Sequence, residues 1–316
     1  MRFLRSLPAL FAAALLLASC EGQQAGVRTA LGVGTPRERY VSRLREAGLD
    51  ETAVGARWLA AGDSAARLPA PVTPPFREAG YFDGRDPRAV AYRWPVRRGQ
   101  RAIVVVATEG DSSGRGPALF VDSWRRDSSG ALDRLASLDS ASGMLELEAE
   151  ADGEMVVRLQ PEALRAVRYV LTIRLAPLAR AFPVSGRDER AAQSFWGASR
   201  DAGARSHQGV DIFASRGTPV VAATGGIVTS VGENRLGGKV VWVVEPRRRW
   251  SFYYAHLDSQ LVSRGTRVTP GDTLGFVGNT GNARATPPHL HFGVYRTGRR
   301  GAVDPWPFLA RPRGEA

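Results

Sequence analysis

The chain has 316 residues, 43% hydrophobic and 23% charged, a balance typical of a globular protein with one large domain or two modest ones. Aromatic residues make up 8% and the mean hydropathy is −0.20, values that exclude a disordered acidic protein and a polytopic membrane protein. The formal net charge of +12 comes almost entirely from arginine, since Lys239 is the only lysine, and it indicates either a codon bias or polyanionic surroundings.

The first twenty residues have the pattern of a bacterial export signal. Two arginines precede an apolar run from 7 to 18, which is too short to span a bilayer and has the length of a signal-peptide core. The segment Leu17-Ala18-Ser19-Cys20 resembles the lipobox of bacterial lipoproteins, in which residues 1–19 are removed and the cysteine carries a lipid. Cys20 is the single cysteine of the chain, which excludes an internal disulfide. We therefore expect a lipoprotein anchored at Cys20; the alternative is an ordinary secretory signal.

The residue after the cysteine bears on the compartment. Lipoproteins held at the inner membrane often carry Asp at this position, whereas this chain has Glu21. We therefore expect a periplasmic lipoprotein of the cell envelope, anchored in the outer membrane and facing the cell wall. Export also argues against nucleic acid as a partner.

Residues 20–80 are expected to form a tether, short helices and a proline-rich linker. The stretch after the cysteine is small and polar, as in flexible tethers. Thr35 and Pro36 have the pattern of a helix start, and a second short helix is expected over 51–61. The run Leu68–Pro75 contains four prolines and marks a boundary.

Residues 81–180 contain short β-type runs separated by Gly, Asp and Ser clusters, a pattern that predicts a β-sandwich-like accessory domain. The runs are Ala89–Val96, Arg101–Ala107, Ala118–Trp124, Met144–Ala149, Met155–Leu159 and Arg168–Leu175. The domain weakly resembles accessory sandwiches of secreted bacterial peptidases, and its role is either a structural spacer or a wall-binding module. Its acids Glu146, Glu148, Glu150 and Asp152 indicate a solvated strand face.

All four histidines lie in the last third of the chain, at positions 207, 256, 289 and 291. His207 and Asp211 are four residues apart, and the glycine between them favours a strand or loop over a helix. If the segment from His289 onward is a strand, His289 and His291 project to the same side.

This set of side chains suits zinc chemistry. Imidazole and carboxylate are zinc ligands, and a catalytic zinc keeps three protein ligands and one open position. Four histidines and one aspartate exceed that number by two, so two imidazoles remain to accept a proton or to hydrogen-bond an oxyanion. The residues alone leave open whether His289 or His291 binds the metal.

Four segments together resemble the lysostaphin-type (LytM-like) zinc metallopeptidases, which cut peptide bonds in bacterial peptidoglycan. They are Gly203–Ile212, Arg216–Val220, Tyr254–Leu257 and Pro288–Phe292. The resemblance covers residues 186–312 and implies a β-rich peptidase domain with its site on an antiparallel sheet. The expected fold class is therefore mainly β, with an N-terminal β-sandwich-like accessory domain followed by a β-rich LytM-like domain.

The resemblance also implies residue roles. His207, Asp211 and His291 would bind one Zn²⁺, His289 would be the general base, and His256 would orient water or stabilise the oxyanion. Two departures, Pro287 in place of the usual Gly and Gly293 in place of the common Glu, lie on groove-forming segments and bear on substrate preference rather than catalysis.

Short β-type runs separated by Gly or Pro fill the same region. They are Val220–Ala222, Gly226–Val231, Val240–Glu245, Trp250–His256, Thr273–Val277 and His289–Tyr295. Pro246–Arg249 would form a hairpin tip, either a solvated turn or a contact to an anionic wall polymer.

Two functions are consistent with these features. The first is a zinc metalloendopeptidase that hydrolyses peptide cross-links between stem peptides of peptidoglycan. Glycan cleavage would need two convergent carboxylates, and residues 186–312 offer no such pair that the sequence defines. The alternative is a non-catalytic LytM-like regulator that activates a wall amidase, which the intact set of five site residues argues against. The expected partners are peptidoglycan, the membrane through Cys20, and envelope proteins.

Overall fold

The computed structural model describes residues 34–109, 119–140, 142–297 and 301–312. Strands dominate this part of the chain, which confirms the expected mainly β fold class. The expected signal peptide, Cys20 and the tether up to residue 33 lie outside the described residues. Among the described helices, none has the length and apolar composition needed to cross a membrane.

Two helices open the described chain, α1 (Pro36–Glu46) and α2 (Ala53–Arg67). The Thr35 hydroxyl accepts a hydrogen bond from the Glu38 N–H, and the Glu38 carboxylate accepts one from the Thr35 N–H, which forms a capping box. The predicted helix start at Thr35 is thus confirmed. Helix α2 is longer than the expected 51–61, because alanine-rich sequence continues to Arg67 and the buried Trp58 holds the helix against the sheet below.

Nine strands follow. They are β1 (Ala70–Pro71), β2 (Phe76–Phe82), β3 (Val90–Val96), β4 (Gln100–Thr108), β5 (Leu119–Arg126), β6 (Leu132–Ser137), β7 (Gly143–Glu148), β8 (Gly153–Pro161) and β9 (Val167–Pro177). One sheet has the order β1-β3-β8-β5-β6 and the other has the order β2-β9-β4-β7. Side chains from both sheets, among them Trp94, Met155 and Leu171, share one core, as in a β-sandwich. Strands β2 and β6 were not predicted; both are edge strands with partly exposed polar residues and a weak apolar signal.

Polar contacts fix both helices to the outer face of β5 and β8. The Trp58 indole N–H donates to the Pro161 carbonyl at 2.8 Å, and Arg37 Nε donates to Gln160 Oε1 at 2.6 Å. Beside them the buried Arg158 pairs with the buried Asp122. The helices and the sandwich therefore form one packed unit.

A second group of strands follows residue 190. They are β10 (Ala192–Ser194), β11 (Ser199–Arg200), β12 (Arg205–Ser206), β13 (Val210–Phe213), β14 (Pro219–Val221), β15 (Gly226–Asn234), β16 (Gly238–Glu245), β17 (Trp250–Gln260), β18 (Arg267–Val268), β19 (Thr273–Val277), β20 (His289–Arg296) and β21 (Ala302–Val303), followed by α3 (Trp306–Leu309). The main sheet runs β10-β13-β20-β17-β16-β15-β18, with β14, β19 and β21 attached, while β11 and β12 form a separate pair. Each β-type run predicted after residue 219 corresponds to one of these strands.

The main sheet has one apolar face and one polar face. Alternate residues of β17 and β20, including Phe252, Tyr254 and Phe292, are fully buried in the core. On the other face Asp211 in β13 pairs in register with His291 in β20, which in turn pairs with Ala255 in β17. The sheet therefore brings together Asp211 and His291, which are 80 residues apart in the sequence.

Of the four acids predicted to form a solvated strand face, Glu148 and Glu150 instead contact the second domain, so the prediction is wrong for these two. Glu146 pairs with Arg101 and Arg180, and Asp152 accepts a hydrogen bond from the Arg98 N–H. Leu145 and Leu147 face the sandwich core, which turns Glu148 outward, and it pairs with Arg248 on the β16–β17 hairpin tip. Glu150 pairs with Arg296 at 3.4 Å. The predicted hairpin tip is confirmed, with Arg248 bound to the sandwich rather than free in solvent.

An apolar contact lies beside these ion pairs. Phe308 of α3 is fully buried and packs edge-on against Trp250, with ring centroids 5.0 Å apart. Gly99 has φ +90°, and a Cβ there would overlap the Phe308 ring. The contact joins the sandwich to the start of β17, roughly 20 Å along the strand from His256. The contact with the sandwich therefore lies at the end of β17 away from His256.

Candidate metal centre

Three side chains converge on the polar face of the main sheet. His207 Nε2 lies 3.0 Å from Asp211 Oδ1 and 3.0 Å from His291 Nδ1, and the last two atoms are 2.9 Å apart. Tetrahedral zinc with ligand bonds of about 2.0–2.1 Å would separate its ligand atoms by roughly 3.3 Å. The three atoms thus form a triangle of the size that one metal ion needs, and together these residues could hold one.

The hydrogen bonds of His207 show that the triangle suits a cation. Its Nδ1 lies 3.0 Å from the Phe195 carbonyl oxygen, which can only accept, so Nδ1 carries the proton and Nε2 is a lone-pair acceptor. Nε2 therefore faces Asp211 Oδ1, a second acceptor. Two acceptors at this distance repel unless a positive ion lies between them, which fits zinc.

The glycine within His207–Asp211 is required by the packing. A Cβ at Gly209 would overlap the imidazole of His291 and the carbonyl of Phe292. The absence of a side chain at this position lets His291 approach β13 closely enough to meet Asp211.

The charge state of the site is set by burial and by close contacts. Burial acts to raise the pKa of Asp211, but the hydrogen bonds and positive charge that His207 and His291 offer when protonated outweigh it and hold this pKa well below its usual range. Burial lowers the pKa of His291. The carboxylate is therefore anionic and the His291 imidazole neutral near pH 7, the states that bind metal.

Arg200 is a site residue that sequence reasoning missed. Its Nη2 donates to Asp211 Oδ2 at 2.7 Å and also contacts the hydroxyl of Ser194. The Ser194 hydroxyl in turn lies 3.3 Å from His207 Nδ1. Arg200 thus leaves only Oδ1 of the carboxylate for a metal, and it holds Asp211 directly and His207 through Ser194. In the sequence, a lone arginine eleven residues before Asp211 does not indicate a site residue.

Replacing Arg200 with alanine should lower the zinc affinity about 10- to 100-fold, because the carboxylate loses the partner that orients it. Loss of the positive charge acts in the opposite direction, but this side chain is 30% exposed and its field is screened. Competition with a zinc chelator measures the change. Arg267→Ala on β18, the edge strand of the main sheet farthest from β10 and β13, serves as the control. An Arg200→Ala affinity equal to wild type would show that the carboxylate is oriented without it.

The two further histidines lie next to the triangle. His289 Nδ1 is 2.9 Å from the Pro287 carbonyl, and its ring stacks on Phe213 with centroids 5.0 Å apart. His256 Nδ1 is 2.9 Å from the Thr280 carbonyl, and its ring centroid is 5.0 Å from that of His289. Carbonyls only accept, so both neutral rings carry their proton on Nδ1 and keep Nε2 as an acceptor.

His256 reaches this face through an unusual backbone conformation. Tyr254 points into the core and Ala255 to the polar face, so strand alternation would send residue 256 into the core. Instead His256 has φ +62° at an irregularity in the β16–β17 register, and its N–H donates to the Gly237 carbonyl. The left-handed conformation turns the imidazole toward the site, where such local strain is common.

The depressed pKa of His256 predicts a pH effect on the stability of the metal-free protein. Burial lowers this pKa to about 4, with His289 and His291 adding to the effect, while an unfolded histidine titrates near 6.5. Between those values the unfolded chain binds a proton that the folded chain does not, so the free energy of unfolding falls as the pH falls from 6.5 to 4, by about 3 kcal/mol from this residue. Urea denaturation should show a shallower fall for His256→Asn, which tolerates positive φ. Parallel curves for the two proteins would contradict this.

Comparison with known proteins identifies the second domain. Residues 205–305 match the model of peptidase family M23. Over 139 residues the chain is 37% identical to the L-Ala--D-Glu endopeptidase of Bacillus subtilis (strain 168), covering 41% of this chain and 42% of that protein. It is 39% identical over 88 residues to the peptidoglycan DD-endopeptidase ShyC of Vibrio cholerae, covering 28% of this chain and 20% of that protein. The chain thus spans less than half of either relative.

A solved structure is also similar to part of this chain. The catalytic domain of lysostaphin from Staphylococcus simulans is 32% identical, with 37% of this chain and 90% of that chain covered and a TM-score of 0.35. The matched family region contains the three candidate metal ligands and both further histidines. Residues 205–305 therefore form a peptidase family M23 domain of the LytM/lysostaphin type.

Proposed function

We propose that this protein is a zinc-dependent endopeptidase that hydrolyses peptide cross-links between the stem peptides of peptidoglycan. The observation that carries the proposal is the convergence of a three-atom ligand triangle with two further imidazoles whose Nε2 atoms are acceptors. The two curated relatives support it, because both are named endopeptidases and one name specifies peptidoglycan.

One zinc ion fits the donor set, held by His207, Asp211 and His291. When bound, it supplies a Lewis acid that polarises a carbonyl and lowers the pKa of a water molecule. Two neutral imidazoles and one carboxylate leave a fourth position for substrate or water. Arg200 keeps the carboxylate in place without occupying that position.

His289 is the general base in this proposal. Its Nε2 lies 4.0 Å from Asp211 Oδ1, outside the ligand triangle but beside it, and can accept a proton from the attacking water. The water oxygen bonds to the amide carbon, the C–N bond breaks, and the protonated imidazole returns the proton to the departing amine. The Phe213 ring and the Pro287 carbonyl hold His289 in this orientation.

His256 orients the water in this proposal rather than stabilising the oxyanion directly. Burial holds its pKa at about 4, so the ring is neutral at the pH of the envelope. A neutral ring with its proton on Nδ1 offers only an acceptor to the site, and an oxyanion needs a donor. His256 would donate to an oxyanion only after accepting a proton during the reaction.

Digestion of purified sacculi tests the function. The zinc-loaded protein should convert cross-linked muropeptide dimers to monomers and release new amino groups, while reducing sugar ends stay constant; Asp211→Ala should leave the dimers intact. A rise in reducing ends, or the release of whole stem peptides from the glycan, would identify a glycosidase or an amidase instead. Release of stem peptides only after a wall amidase is added would favour the regulator.

The proposal also includes the location and layout of the chain. Cleavage before Cys20 and lipidation of its thiol would anchor the protein, with the tether and helices next and the peptidase over 186–312. The sandwich was expected over 81–180, but its first strands begin before residue 81, at Ala70–Pro71 and Phe76–Phe82. More than one acyl chain on the cysteine would hold it firmly. Labelled fatty acid should appear on the wild type and vanish in Cys20→Ala; an unlipidated mature wild type would refute the anchor. Fractionation of the labelled protein would separate outer from inner membrane.

A further inference from the structure

An open cleft of about 710 Å³ lies beside the candidate catalytic histidines. Its lining includes Arg187, Asp188, Arg190, Gln193, Phe213 and Pro287. The volume is in the range of sites that bind small ligands or short peptide segments. None of its polar side chains has a role in the proposed reaction.

The cleft adjoins the candidate site through residues that contact His289. Phe213 lines it and also stacks on the His289 ring at 5.0 Å, with which it pairs in register across β13 and β20. Pro287 lines it and also accepts the hydrogen bond of His289 Nδ1 through its carbonyl. Only the Phe213 ring and Pro287 would therefore separate a substrate that reacts beside His289 from the cleft.

The cleft carries an excess of positive charge. It has two arginines against one acid, and Arg190 approaches Asp188 only at 4.0 Å, with side chains 94% and 58% exposed. Such a pair has little strength, so the guanidinium remains available to a ligand. Within the described ranges, no acidic side chain forms an ion pair with Arg187, and Gln193 adds an exposed amide donor.

We propose that Arg187 and Arg190 bind a free carboxylate of the stem peptide, two or three residues from the bond that is cut. The inference rests on the proposed peptidase function. A stem peptide carries a free carboxylate at its C-terminus. It carries another wherever an acidic residue is linked to the next residue through its side-chain carboxyl, because its α-carboxylate then stays free. Guanidinium groups match the planar carboxylate through paired hydrogen bonds, whereas uncharged sugar hydroxyls gain less from two cations. An extended peptide advances about 3.3 Å per residue, so two or three residues carry it from His289 past the Phe213 ring, whose centroid is 5.0 Å away, to the lining of the cleft.

Two substrates that differ only in charge test the carboxylate. One is a cross-linked stem-peptide dimer with free carboxylates, and the other is the same dimer with those carboxylates converted to carboxamides. The wild type should have a KM roughly two- to fivefold lower for the free acid, as an ion pair with an exposed arginine provides. Arg187→Gln and Arg190→Gln should each raise the KM for the acid, leave kcat unchanged and leave the carboxamide KM unchanged. Arg267→Gln on β18, at the opposite edge of the main sheet, is the matched control.

Equal KM values of the wild type for both substrates would overturn the inference, as would a variant that raises both values equally. A second measurement needs no turnover and so separates this inference from the proposed function. In titration calorimetry the metal-free wild type should bind the free-acid dimer several-fold more tightly than the Arg187→Gln/Arg190→Gln protein. Equal binding would overturn the carboxylate site, while absent hydrolysis with unequal binding would overturn only the peptidase function.

Discussion

Asp211→Ala should lose zinc and peptide hydrolysis together. The substitution removes the one anionic atom of the ligand triangle and leaves two neutral imidazoles, which close too little of a tetrahedral site. It also leaves the guanidinium of Arg200 unpaired beside the metal position, where it repels a cation. Loss of a supporting residue alone costs about 10- to 100-fold in metal affinity, so loss of this ligand should exceed that range.

The measurement is metal content after dialysis, together with dimer hydrolysis at neutral pH. Asp133→Ala is the matched control, because that carboxylate is 59% exposed in the sandwich and, among the residues that the structure describes, pairs with Arg125 alone. The control should retain one zinc per chain and full activity. Zinc binding by Asp211→Ala at wild-type affinity would refute the assignment of this ligand. A wild type that takes up no zinc on reconstitution would refute the proposal that this protein is a zinc-dependent enzyme.

His289→Ala should separate metal binding from catalysis. The Nε2 of this residue is 4.0 Å from Asp211 Oδ1, whereas the three ligand atoms are 2.9–3.0 Å apart, so zinc should remain bound. Turnover should fall by about two to four decades, the usual contribution of a general base. The KM should change little, because this imidazole acts on water rather than on the substrate.

The companion variant His291→Ala should lose zinc and turnover, since it removes a corner of the triangle. Metal analysis and single-turnover hydrolysis of both variants give the comparison. Loss of zinc from His289→Ala with retention by His291→Ala would reverse the roles of the two residues. Thermal unfolding of both variants excludes a global loss of structure as the cause.

Much of the catalytic half of the fold was predictable from local pattern. Strand β19 has the predicted bounds, and the predicted run at His289 differs from β20 by one residue, because short apolar runs between Gly and Pro define strands strongly. The spacing of His289 and His291 correctly placed both imidazoles on one face. His256 did not follow strand alternation, since a positive φ, which the sequence does not signal, turns its ring.

The remaining differences come from contacts between distant residues. Glu148 has the pattern of a solvated strand position, but its partner Arg248 is 100 residues away and no local rule connects them. Arg200 lies on a two-residue strand that pairs with β12 in a separate sheet, so its contact with Asp211 on β13 emerges only in the folded chain. Edge strands β2 and β6 escaped prediction because half-exposed edges carry little apolar periodicity.

Under the proposed function, the joint between the two domains has a consequence for action on an extended polymer. Phe308, Glu148 and Glu150 hold the sandwich to the end of the main sheet opposite the histidines. Opening this joint would expose the fully buried Phe308 ring and separate both ion pairs, which opposes a change in the angle between the two domains. In the proposed peptidase, the sandwich would therefore influence the direction from which the histidines approach the wall.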